Sequence, residues 1–330
     1  MKCMTGCILL LLAVVFTGNC VRMEEQQMKD PKETAPFHLE ITHFLKAMFC
    51  KKLVVDQLGN CILLIESNEI QPDVPEIGYY TLKISVAEAQ ELRQMTQQLL
   101  VEQMPPTKPM MSGAPVASIL LEENNKVLTK SFDPYIPSAN WQEINRRLPL
   151  LEQAALKSVK AGLHAELSFS AGSTVRSGPT GITVKLTGVG SHTISFYNPL
   201  APPDSPGGRI RLMAVRTDIP EEKLTILHHK SYDLSAEMLT AQTPEDVNLQ
   251  KPLLQMEPED ALVLTFETIL DWPPGQYAVR LNLMSNGPPP GDDETVFIRG
   301  QILTGEVQLT ITGQSRPEDE GATRYEPPKL

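Results

Sequence analysis

Residues 271–283, Asp-Trp-Pro-Pro-Gly-Gln-Tyr-Ala-Val-Arg-Leu-Asn-Leu, join a Pro-Pro-Gly turn to a strictly alternating run. Tyr277, Val279, Leu281 and Leu283 occupy every second position, so an extended chain places all four on one face. The same period recurs outward from this stretch. Ala165, Leu167 and Phe169 keep it, as do Ile182, Val184 and Leu186, then Ile194 with Phe196, and Ile210 with Leu212. Leu262, Leu264 and Phe266 follow, then Val296 with Ile298, and finally Val307, Leu309 and Ile311. Turn signals separate the runs at Gly178-Pro179, Asn198-Pro199, Pro206-Gly207-Gly208 and Asn286-Gly287-Pro288. About eight short strands punctuated in this way predict a β-sandwich over residues 162–313.

The 271–283 stretch resembles the corner before a late strand in immunoglobulin-like sandwiches. That resemblance implies that the Tyr277 ring lies in the core and its hydroxyl bonds backbone near the turn. An ordinary half-buried strand tyrosine is the competing reading. The paired cysteines of antibody domains are missing, so the likeness is to the broad bacterial immunoglobulin-like class. Between Tyr232 and Met256 runs a long connection containing Pro244 and Pro252, with a short helix expected at Ser235–Thr240. Such an insertion is where a binding site is carried.

Residues 37–161 have a different texture. Cys61–Ser67 is a short apolar run, and Tyr80, Leu82 and Ile84 alternate. Ser85 with Glu88 forms a capping box, followed by Val86, Ala89, Leu92, Leu99 and Leu100 at helical spacing up to about Gln103, before Pro105-Pro106. Residues 117–132 predict a hairpin turning at Asn124-Asn125. Asn140 with Glu143 caps a second predicted helix with an apolar stripe of Ile144, Leu148, Leu151, Ala155 and Val159, kinked at Pro149. A strand pair followed by a helix thus occurs twice. The expected fold is an α+β N-terminal domain, an antiparallel sheet with two helices on one face, followed by an all-β immunoglobulin-like sandwich. The element order of the first half is similar to that of emfourin-like protein inhibitors of metalloproteases. That likeness implies inhibition of a secreted protease, with Met104–Pro115 as the presented segment.

At the N-terminus, Met1-Lys2 precede a nine-residue apolar run, Ile8–Phe16. A membrane span needs about 20 such residues, so residues 1–19 read as a secretory signal peptide. Phe16-Thr17-Gly18-Asn19-Cys20 resembles the bacterial lipoprotein signal, in which the cysteine is acylated and becomes the mature N-terminus. Thr17 and Asn19 depart from that pattern, and cleavage between Gly18 and Cys20 by ordinary signal peptidase fits as well. In the first case a lipid anchor at Cys20 holds the protein on a membrane; in the second it is periplasmic or secreted. Residues 20–36 read as a flexible tether and residues 314–330 as a disordered tail. The chain contains no Asn-x-Ser/Thr sequon, which favours a bacterial source.

Export leaves Cys50 and Cys61 as the only cysteines of the mature chain, a disulfide candidate in an oxidising compartment. The pairing depends on the turn: reversal at Leu58-Gly59-Asn60 separates the two beyond disulfide reach, whereas reversal nearer Val55-Asp56 brings them together.

With 29 Lys and Arg against 40 Asp and Glu, the net charge is -11, or -12 once Lys2 is lost. Such a surface repels phosphate backbones, so no nucleic-acid partner is expected. Motifs for nucleophile elbows, phosphate loops and Cys-x-x-Cys chemistry are missing from the sequence. Gly188-Val189-Gly190 lacks the third glycine of a dinucleotide loop and reads as a β-turn. His38 and His43 are five apart in strand-like sequence and point to opposite faces, which defeats a shared metal. His228-His229 diverge for the same reason, and Asp292-Asp293-Glu294 lacks the EF-hand spacing. No catalytic residue, cofactor or metal is expected. The sequence points to a non-catalytic exported binding or scaffold protein with a protein or glycan partner; inhibition of a secreted protease is the alternative, and an enzyme with an unfamiliar site ranks below both.

Overall fold

Alternating apolar positions dominate the chain, and the computed structural model turns them into strands; it describes residues 36–45, 48–68, 76–103, 116–135, 138–176, 178–201, 208–285 and 296–313. The first half holds β1 (Phe37–Leu45), β2 (Met48–Asp56), β3 (Asn60–Ile65), β4 (Glu76–Lys83), α1 (Val86–Val101), β5 (Val116–Glu123), β6 (Lys126–Phe132) and α2 (Ala139–Ala155). The second half continues with β7 (Val159–Phe169), β8 (Thr174–Arg176), β9 (Pro179–Gly190), β10 (Ile194–Tyr197), β11 (Gly208–Arg216), β12 (His229–Leu234) and β13 (Leu239–Thr243). It ends with β14 (Leu253–Met256), β15 (Ala261–Ile269), β16 (Gly275–Ser285), β17 (Val296–Phe297), β18 (Gly300–Leu303) and β19 (Val307–Thr312).

Helix boundaries follow local chemistry. The Ser85 side chain accepts from the Glu88 amide and starts α1, whose Ala89, Leu92 and Leu99 are buried. Lys130 Nζ donates to the Leu99 and Glu102 carbonyls and closes the other end. For α2 the cap is Ser138, which accepts from Trp141 N, rather than Asn140; Asn140 lies in the first turn and donates to Glu102. The helix continues through Pro149 to Ala155. The carbonyl that proline leaves unbonded belongs to Asn145, on the solvent side. The expected hairpin turn is present, with Asn124 and Asn125 both at positive φ, as a type I′ turn requires.

A ten-stranded sheet runs β13-β15-β9-β7-β4-β3-β2-β1-β5-β6. A six-stranded sheet, β12-β11-β16-β19-β8, with β18 attached to β16, and a three-stranded sheet, β14-β10-β17, complete the fold. The large sheet changes its buried side along its width. In β1–β3 the residues Leu39, Ile41, Leu53, Val55, Cys61 and Leu63 are buried on the face that α1 and α2 cover. In β7, β9 and β15 the opposite face is buried, through Leu163, Ala165, Leu167, Val184, Leu186 and Leu264. The strands β10, β16 and β18 contact β7 there, and β18 also contacts β4.

The exchange occurs at β4, where Tyr80 is buried on the helix face and Ile77, opposite Leu163, on the other. Gly78 faces Gly162 across the same strand pair, with φ +147, and the Ala161 carbonyl leaves no room for a side chain at that glycine. The boundary expected after residue 161 therefore runs through β7, a strand common to both halves, and residues 35–330 form a single unit. Six strands of the first half, β4-β3-β2-β1-β5-β6, lie beyond it in the sheet.

Gly188-Gly190 is the end of β9 and not a turn; Gly188 lies against the Glu257 carbonyl. The expected helix at Ser235–Thr240 is a single 3-10 turn, Ala236–Met238, leading straight into β13. Among the described residues, no helix is long and apolar enough to cross a membrane.

Candidate functional site: clefts on the 239–256 connection

The long connection between β12 and β15 folds into two short strands, β13 and β14, joined by residues 244–252. Two open clefts lie on it. One, of about 460 Å³, is lined by Asp246, Val247, Asn248, Lys251, Pro252, Leu253, Leu254 and Gln255. The other, of about 370 Å³, is lined by Leu239–Gln242 and Glu245. Their walls mix a carboxylate, amides and an ammonium with Val, Leu and Pro.

Two amide side chains set the shape of this loop. Asn198, fully buried, donates through Nδ2 to the Leu249 and Lys251 carbonyls at 2.7 and 2.9 Å, while its Oδ1 accepts from Leu200 N. Gln242 Nε2 donates to the Val247 carbonyl at 2.7 Å and to Glu245 at 3.0 Å. These bonds take up backbone groups that an irregular loop would otherwise leave to water, so the clefts are pre-formed. The sequence marked Asn198 only as part of the Asn198-Pro199 turn signal and gave no signal at Gln242; the length and proline content of the segment marked the connection itself.

The other residues singled out from the sequence scatter over the molecule. Tyr277 is fully buried, its hydroxyl donates to the Pro273 carbonyl at 2.8 Å, and its ring lies 5.3 Å from that of Trp272. This ties the Pro-Pro-Gly turn to the strand it introduces and contributes about 1 kcal/mol. The Arg216 guanidinium sits over the same ring and pairs with Asp218, so Tyr277 is part of the framework rather than of a cleft.

Cys61 is a buried free thiol, and of the two turns weighed from the sequence the one that keeps Cys50 and Cys61 apart is the one that forms. The chain reverses at residues 57–59, placing Cys61 opposite Val55. Cys50, on β2, is five residues further along, roughly 17 Å at strand rise; a disulfide tolerates about 7 Å between Cα atoms. Burial, with Asp56 and Glu88 nearby, pushes the Cys61 thiol up to about 12. Cys20, the signal and tether, Met104–Pro115 and Asp292–Glu294 lie outside the described residues.

His38 bonds Glu40 on one face of β1, whereas His43 lies on the helix face with Leu39 and Ile41. His228 accepts from Thr225 N in a loop cap, and His229 starts β12, exposed. Among the described residues, no three His, Cys, Asp or Glu side chains gather as a metal site would need.

No family model matches the chain, and no curated protein matches it. Part of it is similar to solved structures at low identity. One is AvmM, described as catalysing macrocyclization in alchivemycin A biosynthesis, at 11% identity over 47% of this chain and 92% of that one, with TM-score 0.28. Another is the C-terminal domain of wzt, at 11% identity over 46% and 72% of the two chains, with TM-score 0.24. A third is the structural genomics target SoR45, at 10% identity over 48% and 92%, with TM-score 0.24. Likenesses at this level carry no argument about fold or function.

Proposed function

We propose that the chain is a non-catalytic exported protein, periplasmic or lipid-anchored through Cys20, that binds a glycan or a protein at the 239–256 connection of an immunoglobulin-like β-sandwich. The carrying observation is the pair of clefts whose walls Asn198 and Gln242 fix in advance. The immunoglobulin-like assignment is supported by the Tyr277 hydroxyl bond to Pro273, the arrangement of a tyrosine corner, and by β16 and β18 lying against β7.

Binding is tested by titrating the purified protein with a panel of oligosaccharides, peptidoglycan fragments among them, and with envelope proteins. A ligand of this site should lose on the order of tenfold affinity or more in Lys251→Ala and Gln255→Ala, because each truncation unpairs a ligand group at about 1.4 kcal/mol per tenfold. Binding untouched by both variants, or substrate turnover abolished by a single substitution elsewhere, would overturn the reading.

Anchoring is tested by the intact mass of the mature protein from membrane and soluble fractions of a bacterial host. Residues 20–330 plus a diacylglyceryl group, lost in Cys20→Ala, are expected of the anchored form. An unmodified soluble chain selects the periplasmic or secreted form, and an uncleaved chain in the cytosol refutes export.

A further inference from the structure

Among the described residues, the ten-stranded and six-stranded sheets each end in strands with a neighbour on one side only. Such a strand carries a row of unpaired backbone N–H and C=O groups, which charge, bulges or brevity normally keep from joining another chain. On the ten-stranded sheet, β6 carries Lys126 and Lys130 with no acid, and β13 is bent by a bulge between Leu239 and Ala241. At one end of the six-stranded sheet, β8 has only three residues. The other end, β12, has none of these features. It pairs with β11 in unbroken register from His229 to Leu234 and carries charges of both signs, Lys230 and Asp233. Its outer face exposes His229, Ser231 and Asp233. Apolar side chains flank this edge. Ile226 is 86% exposed and Leu227 60%, in the 3-10 turn that leads into β12, and Met213, opposite Ser231 on β11, is 42% exposed. The turn is fixed, because Thr225 N donates to His228 Nδ1 and His228 N donates to the Thr225 carbonyl, each at 2.9 Å. Two large apolar side chains are thus held in water beside an unpaired strand edge.

We propose that β12 pairs antiparallel with β12 of a second copy of this chain about a two-fold axis, joining the two six-stranded sheets into one. The axis keeps the two outer faces on the same side, so each residue meets itself or one an even number of positions away. Centring the pair at Lys230 sets two ammonium groups against each other. Centring it at Tyr232 sets Lys230 against Leu234 and moves Asp233 opposite Ser231. Centring it at Ser231 sets His229 against the partner's Asp233 at both ends, an imidazole against a carboxylate, and opposite-charge pairing of this kind favours that register. Arg211 donates to both oxygens of Asp233 and holds the carboxylate in place on the outer face. In the same register Leu227 and Ile226 lie alongside the partner's Ser235 and the partner's Ala236, and the two Met213 side chains flank the axis. Association therefore covers the exposed apolar side chains as it satisfies the strand edge.

Sedimentation equilibrium of the purified protein reads the association directly, and the unaltered chain should be a dimer at micromolar concentration. The double variant Ile226→Asp/Leu227→Asp should raise the dimer dissociation constant on the order of tenfold or more, since both positions are exposed in the single chain. A charge exchange tests the register. His229→Glu sets carboxylate against carboxylate, and Asp233→Lys sets an ammonium against His229, so each variant alone should dissociate on the order of tenfold more readily. An equimolar mixture of the two restores an attractive pair at both ends of the ladder and should recover the dimer. A monomer throughout the micromolar range, a dimer indifferent to these variants, or a mixture no tighter than its components refutes the proposal.

Discussion

Glu152→Ala should lower stability by about 3–5 kcal/mol, the loss expected when one partner of a buried ion pair is removed. Glu152 is 6% exposed and Lys51 17%, and their charged atoms lie 2.7 Å apart between α2 and β2. Truncating the carboxylate leaves the Lys51 ammonium under the helix, facing His43. The measurement is a urea midpoint at pH 7.5, with Lys51→Met and the double variant Lys51→Met/Glu152→Leu alongside. The double variant should recover most of the loss, because apolar side chains fill the space without leaving a charge to solvate. If Glu152→Ala falls within 1 kcal/mol of the parent, the pair is hydrated and the assignment fails.

His43 should make the same region acid-labile. Its ring lies 5.7 Å from that of Trp141, its Nε2 is buried without a partner, and Lys51 faces it. Burial first, and then the Lys51 charge, hold His43 down to about 4, against 6.5 for the free side chain. The folded-state value is depressed, so the unfolded chain takes up the proton first. The contribution is complete above pH 6.5, declines as pH falls toward 4, and levels off below that. The gap corresponds to about 3 kcal/mol.

In His43→Leu this component disappears, and the variant should gain on the parent as pH is lowered from 7.5 to 4.5, measured by urea unfolding at each pH. Parallel pH profiles would show that the imidazole is hydrated in the fold. Glu66 works in the opposite sense, since its folded-state value is raised from 4.5 to about 6. Stability from that group is present below 4.5 and lost as pH rises through 6, opposite in direction to the His43 component.

The helices, the Asn124-Asn125 turn and the alternating strands of the second half were legible because each is written in a short window. A cap, a pair of turn residues or a period of two needs no knowledge of distant chain. The wrong cap on α2 has a similarly local reason: Ser138 and Asn140 are both good capping residues, and Glu102, far away in sequence, takes the hydroxyl of one and the amide of the other. The candidate site was legible only as a location. Segment length and prolines marked residues 232–256, but Asn198 lies some fifty residues upstream of the carbonyls it holds, and no local pattern links them.

The sequence by itself determined the β-rich class with two helices and the faces that most strands bury, because side-chain alternation is a property of the extended backbone. Only the tertiary structure decided that ten of these strands form one sheet shared by both halves. Pairing partners such as β4 with β7 and β1 with β5 are distant in sequence, and hydrogen bonds between backbones carry no residue signature. The tertiary structure also fixed Cys61 as a free thiol, through the β2–β3 register, and brought the Glu66–Asn68 backbone beside β18. Both depend on which chain arrives alongside, and a linear pattern does not contain that.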